Sequence, residues 1–122
     1  MKRIHEMNAA ELTTCICKIA EPSERIFSDG AVIDALDTMR GRVPENVTIE
    51  TAFGLFAKEV VPVLTGDAHR KDTYEIVAAL CEQTVEEVEQ RNGLEVMRDM
   101  FYIFALEKDV EGIFRPCNQA RR

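Results

Sequence analysis

Between Asp72 and Phe114 apolar side chains recur every three or four positions, interrupted only at Thr84, Gly93 and an acidic turn. That spacing gathers them on one face of an α-helix, whereas a half-buried strand would need strict alternation. The segment is therefore committed to several short helices. Tyr74, Val77, Leu80 and Cys81 mark one of them. Thr84 followed by Glu87 has the form of a capping box, so a new helix starts there, with Val85 and Val88 as its apolar face. Asn92-Gly93 closes it, and Leu94, Met97, Phe101, Phe104 and Ala105 predict the next. Val110, Ile113 and Phe114 form a last turn. The run from Met100 to Leu106 is apolar on every side and short enough to be a buried strand. Helix is the better reading, because no alternating segment elsewhere offers a strand to pair with.

The same logic applies upstream. Asn8 with Glu11 three residues later predicts a helix start, and Leu12, Ile16 and Ile19 continue it until Pro22, before which it should end. Ser23 to Phe27 then form at most a short turn. Ser28 and Asp29 cap a second helix carrying Val32, Ile33, Leu36 and Met39, which should end near Arg40 because Gly41 and Pro44 break the pattern. After the linker Gly41 to Asn46, Thr48 starts the strongest stripe, Ile49, Phe53, Phe56, Val60 and Val63. Pro62 should stop that helix near Val61 or kink it. The expected architecture is thus all-α: one small domain over residues 1–122, a bundle of about five to seven short helices, with frayed ends at about 1–7 and 115–122.

A chain of 122 residues with 46% apolar and 30% charged side chains supports a single core and is not disordered. Its net charge is −7, and Glu82, Glu86, Glu87, Glu89, Glu95, Asp99, Glu107, Asp109 and Glu111 face only Arg91, Arg98 and Lys108 in that stretch. A surface of that sign repels phosphate and argues against nucleic-acid binding. No apolar run approaches the length of a membrane span, and MKRIHEMNAAEL contains no signal-peptide core. A cytoplasmic protein with reduced thiols at Cys15, Cys17, Cys81 and Cys117 is expected.

The residues offer little for catalysis. His5 lies near the terminus and His69 in a polar stretch, and neither adjoins a nucleophile motif. Cys15 and Cys17, two apart, point to different helix faces; with no CxxC or HExxH, neither a metal site nor a cofactor is expected. The stretch from Tyr74 to Gln90 has the outline of a helix-turn-helix, but its second helix would offer Glu86, Glu87 and Glu89 to DNA where a reading helix offers Arg, Lys, Asn or Gln. Phe101, Tyr102, Ile103, Phe104, Ile113 and Phe114 are core in one reading and an exposed strip for a partner in the other.

Three segments together carry a resemblance: IAEPSERIFSDG (Ile19 to Gly30), VVPVLTGDAHRKDTYEIVAALCEQTVEEVEQ (Val60 to Gln90) and LEVMRDM…EKDVEGIF (Leu94 to Phe114). In order and spacing they resemble the tail assembly chaperones of tailed phages and prophages of Gram-positive bacteria. The shared pattern is a P-x-L element (Pro62 to Leu64), an I-x-x-A-L helix (Ile76 to Leu80), a T-V-E-E-V restart (Thr84 to Val88) and an acidic helix ending in Phe114. Glu82 stands where similar chains often have Gly, and Ile113-Phe114 where they often have two Phe. The resemblance implies a non-enzymatic cytoplasmic helper, able to self-associate, that binds the tape measure protein, keeps its apolar helices soluble and helps recruit tail tube subunits. It would be the short form of a pair whose other member is frameshift-extended. Phe101, Phe104, Ile113 and Phe114 are the candidate partner-binding residues, with Glu107, Asp109 and Glu111 as a polar rim. A generic helical scaffold or regulatory subunit, or a helix-turn-helix DNA-binding protein, is the alternative.

Overall fold

The computed structural model describes residues 3–44 and 46–115, and they form eight α-helices with no strand among them. In chain order these are α1 (Ala9–Phe27), α2 (Gly30–Arg42), α3 (Ile49–Glu59), α4 (Val61–Leu64), α5 (Arg70–Cys81), α6 (Val85–Gln90), α7 (Gly93–Phe101) and α8 (Asp109–Phe114). A 3-10 turn, Ile4–Glu6, precedes α1, and a π-helical turn, Tyr102–Leu106, joins α7 to α8. The apolar run around residue 103 is thus helical, as expected.

Local capping sets most boundaries. Asn8 Oδ1 accepts the Glu11 N–H at 2.8 Å while the Glu11 carboxylate accepts the Asn8 N–H at 3.0 Å. Thr84 and Glu87 form the same reciprocal pair. Asp29 caps α2 through the Ala31 N–H, and Thr48 caps α3 through the Thr51 N–H. Pro62 divides the strongest stripe as anticipated: α3 ends at Glu59, Val60 is the joint, and α4 restarts with the proline in its first turn.

Pro22 departs from the expectation, since α1 runs through it to Phe27 and no separate turn forms. An interior proline costs about 3 kcal/mol through its missing N–H and ring clash. Downstream, however, Ile26 and Phe27 are 0% and 1% exposed, and burying two such side chains contributes roughly 1.5–3 kcal/mol each. The continuous helix wins. The N-terminal segment is likewise not frayed in its described part: Ile4 is buried, its N–H donates to the Glu107 carboxylate at 3.3 Å, and His5 Nδ1 lies 3.1 Å from Asp109 Oδ2. Arg115 is anchored too, by Asp37 and Glu111, whereas the rest of the tail, 116–122, and residues 1 and 2 lie outside the described residues.

The central pair is α1 against α5, with α2 packed on α1, α3 and α4, and α8 returning onto α1. Phe27, Phe56, Phe104, Ile19, Leu36, Leu64 and Ile76 fill the middle. Buried charge is paired across helices. Asp72 on α5 accepts two hydrogen bonds from Arg25 on α1, at 2.9 and 2.8 Å, and Glu111 on α8 accepts two from Arg40 on α2, at 3.0 and 2.6 Å.

Candidate partner-binding surface

The four aromatic and aliphatic candidates separate into two pairs. Phe101 and Phe104 are core residues, 5% and 0% exposed, which removes them as anchors for a partner. Phe101 is wedged between Phe53 and Phe56 with ring centroids 5.4 Å away in each case, and Phe104 lies 6.0 Å from the Phe27 ring. Such tilted aromatic contacts are favourable beyond the area buried, so neither ring is available without opening the fold. Ile113 is 52% exposed, and Phe114 is half-buried against the core edge. Nor is the rim as expected: Glu111 is buried, bonded to Arg40 and Arg115, and Glu107 and Asp109 hold the N-terminal turn.

An open concavity of about 630 Å³ lies elsewhere, between the first half of α1 and the α5–α6 corner. Met7, Ala10, Thr14 and Lys18 present one face of the α1 side, and Leu80, Glu82 and Glu87 belong to the facing wall. Ala10 and Thr14 are the small side chains of its α1 wall. Sequence patterning missed it, since no apolar stripe marks that face of α1. A narrower groove of about 290 Å³ runs between α4, α5, α6 and α7, lined by Val61, Tyr74, Val88, Val96, Met97 and Met100. Leu94, first in the expected stripe of α7, is 52% exposed, because Val96 and Met100 take the inward face instead.

Among the described residues both histidines bond to carboxylates: His69, buried and not in an open polar loop, places Nε2 2.6 Å from Asp29 Oδ2, and His5 pairs with Asp109. Burial pushes the Cys15 thiol up from its ordinary value; burial and the neighbouring Asp99 do the same to Cys81, so both stay protonated at neutral pH. His5, Glu107 and Asp109 are the one group among the described residues whose ligand atoms converge, within 4.8 Å of one another. Those atoms already serve the fold, Glu107 accepting the N–H groups of Ile4 and Asp109. The helix-turn-helix outline does form, but its second helix is six residues long and exposes Glu86, Glu87 and Glu89. No helix of the described residues is long and apolar enough to cross a membrane. No family model, curated protein or solved structure matches the chain.

Proposed function

We propose that the protein is a tail assembly chaperone of a tailed phage or prophage: a non-enzymatic helper in the bacterial cytoplasm that holds helical segments of the tape measure protein and helps bring in tail tube subunits. The observation that carries this reading is the open groove of about 630 Å³ between helices, joined to the three-segment resemblance. A groove walled by helices is suited to an amphipathic client helix laying its apolar stripe into it. The acidic body, at net charge −7, keeps such a complex dispersed.

Co-expression tests it. The tape measure protein encoded beside this chain should remain in the soluble fraction when both are made together and aggregate when made alone. Aggregation in both cases would remove the chaperone reading. A chromosomal neighbourhood without tail tube and tape measure genes would favour a scaffold subunit of another complex.

A further inference from the structure

The groove between α1 and the α5–α6 corner has a composition that packing does not explain. Its floor is apolar, with Cys15 and Leu80 only 5% and 4% exposed and Met7 and Ala79 half-buried beside them. Its rim carries three carboxylates, Glu11, Glu82 and Glu87, against one ammonium, Lys18. Two of the carboxylates are accounted for by helix capping, since Glu11 and Glu87 accept the N–H groups of Asn8 and Thr84. Glu82 has no such role. Its backbone lies at φ 57°, ψ 44°, the left-handed region that a Cβ disfavours and glycine enters freely. Among the described residues its side chain makes no hydrogen bond or ion pair. A carboxylate is thus kept at a position where the fold by itself favours glycine.

We propose that this groove docks a basic amphipathic helix of a partner chain, with the partner's apolar side chains on the Cys15–Leu80 floor and a lysine or arginine against Glu82. The inference rests on the reading of the groove as a helix-docking site and adds the chemistry of what docks. Ala10, Thr14 and Lys18 span about two turns of α1, roughly 12 Å at about 1.5 Å per residue, and Met7 carries the wall past the helix start, so a segment of about eleven residues covers it. A strand is not the occupant, because the described residues offer no sheet edge for it to extend. A second copy of this chain suits the site poorly, because at net charge −7 its surface meets the acidic rim with like charge.

The experiment uses the full chain and two labelled helical peptides of about eleven residues, matched in leucines at helical spacing, one flanked by lysines and the other by glutamates. Binding is followed by fluorescence anisotropy. The lysine peptide should bind at least about tenfold more tightly than the glutamate peptide, and more weakly as salt rises from about 0.05 to 0.3 M. Glu82→Gln, which keeps the backbone strain, should weaken it about threefold and Glu82→Lys about tenfold. Ala10→Trp, on an exposed wall position, should block binding while the thermal melt stays that of the parent. Equal binding of both peptides would overturn the charge selection and leave helix docking intact. Binding that survives Ala10→Trp in a folded protein, or no binding of either peptide, would overturn the groove as the site. Selective binding of the lysine peptide without rescue of the tape measure protein would leave this inference standing and remove the proposed function.

Discussion

Replacing Glu82 by glycine should make the protein more stable, although it deletes a side chain and adds none. The residue caps α5 in the left-handed conformation, with the Gln83 N–H returning to the Ala78 carbonyl at 2.9 Å and the Glu82 N–H to Ala79 at 3.4 Å. Holding a Cβ there costs roughly 1–2 kcal/mol. Glycine removes that cost but brings a more flexible unfolded chain, which returns about 0.5–1 kcal/mol. Since the carboxylate has no partner among the described residues, little else is lost. The net gain is about 0.5–1 kcal/mol. With an unfolding entropy near 2.1 cal/mol/K per residue over 122 residues, that raises Tm by about 2–4 °C. Thermal and urea unfolding followed by circular dichroism measure it, with Glu82→Ala as control, because alanine removes the charge and keeps the strained backbone. Glu82→Ala should stay within about 0.5 kcal/mol of the parent. A Glu82→Gly protein no more stable than the parent would refute the left-handed corner. Equal gains in both variants would assign the effect to relief of acidic repulsion.

Three further outcomes follow from the packing and the ion pairs. Burial acts to raise the Glu111 carboxyl, but the hydrogen bonds from Arg40 and Arg115 outweigh it and hold the group below its ordinary 4.5. Its stabilisation is therefore present above about pH 4.5 and lost as pH falls through the lower folded-state value. Glu111→Gln should cost about 1.5–3 kcal/mol at pH 7 and lack that acid limb, read from urea midpoints across pH. Phe104→Ala should cost about 3–5 kcal/mol, whereas Ile113→Ser, at a site 52% exposed, should shift urea unfolding by less than about 0.5 kcal/mol. Thr84→Ala breaks the reciprocal cap at the start of α6 and should cost about 1 kcal/mol in the same assay.

What could be read from the sequence was what depends on near neighbours. Asn8, Asp29, Thr48 and Thr84 cap the helices they precede because a side-chain oxygen two or three residues away reaches the free N–H groups, and that geometry needs no tertiary context. Pro22 could not be judged alone, since its cost is set against the burial of Ile26 and Phe27 by elements far along the chain. The same holds for His69 with Asp29, His5 with Asp109 and Arg40 with Glu111, whose partners lie 40, 104 and 71 positions away. Phe101 and Phe104 were recognisable as large apolar groups, but only the placement of Phe53, Phe56 and Phe27 decides that the core encloses them.

The α5–α6 corner joins the stability and binding arguments. Glu82 ends α5, Thr84 starts α6, and both line the groove, so the shape of the wall is set by the two caps. A partner that selects this closed corner stabilises it in proportion to occupancy, and one indifferent to it does not. Glycine in place of Glu82 would keep the corner at lower cost and lose the rim charge. The two substitutions at this one residue therefore separate the roles. Glu82→Gly tests the backbone through stability, and Glu82→Gln tests the carboxylate through binding with the backbone cost retained. A protein in which glycine stabilises and glutamine weakens peptide binding would hold its strained corner for the sake of the charge it presents.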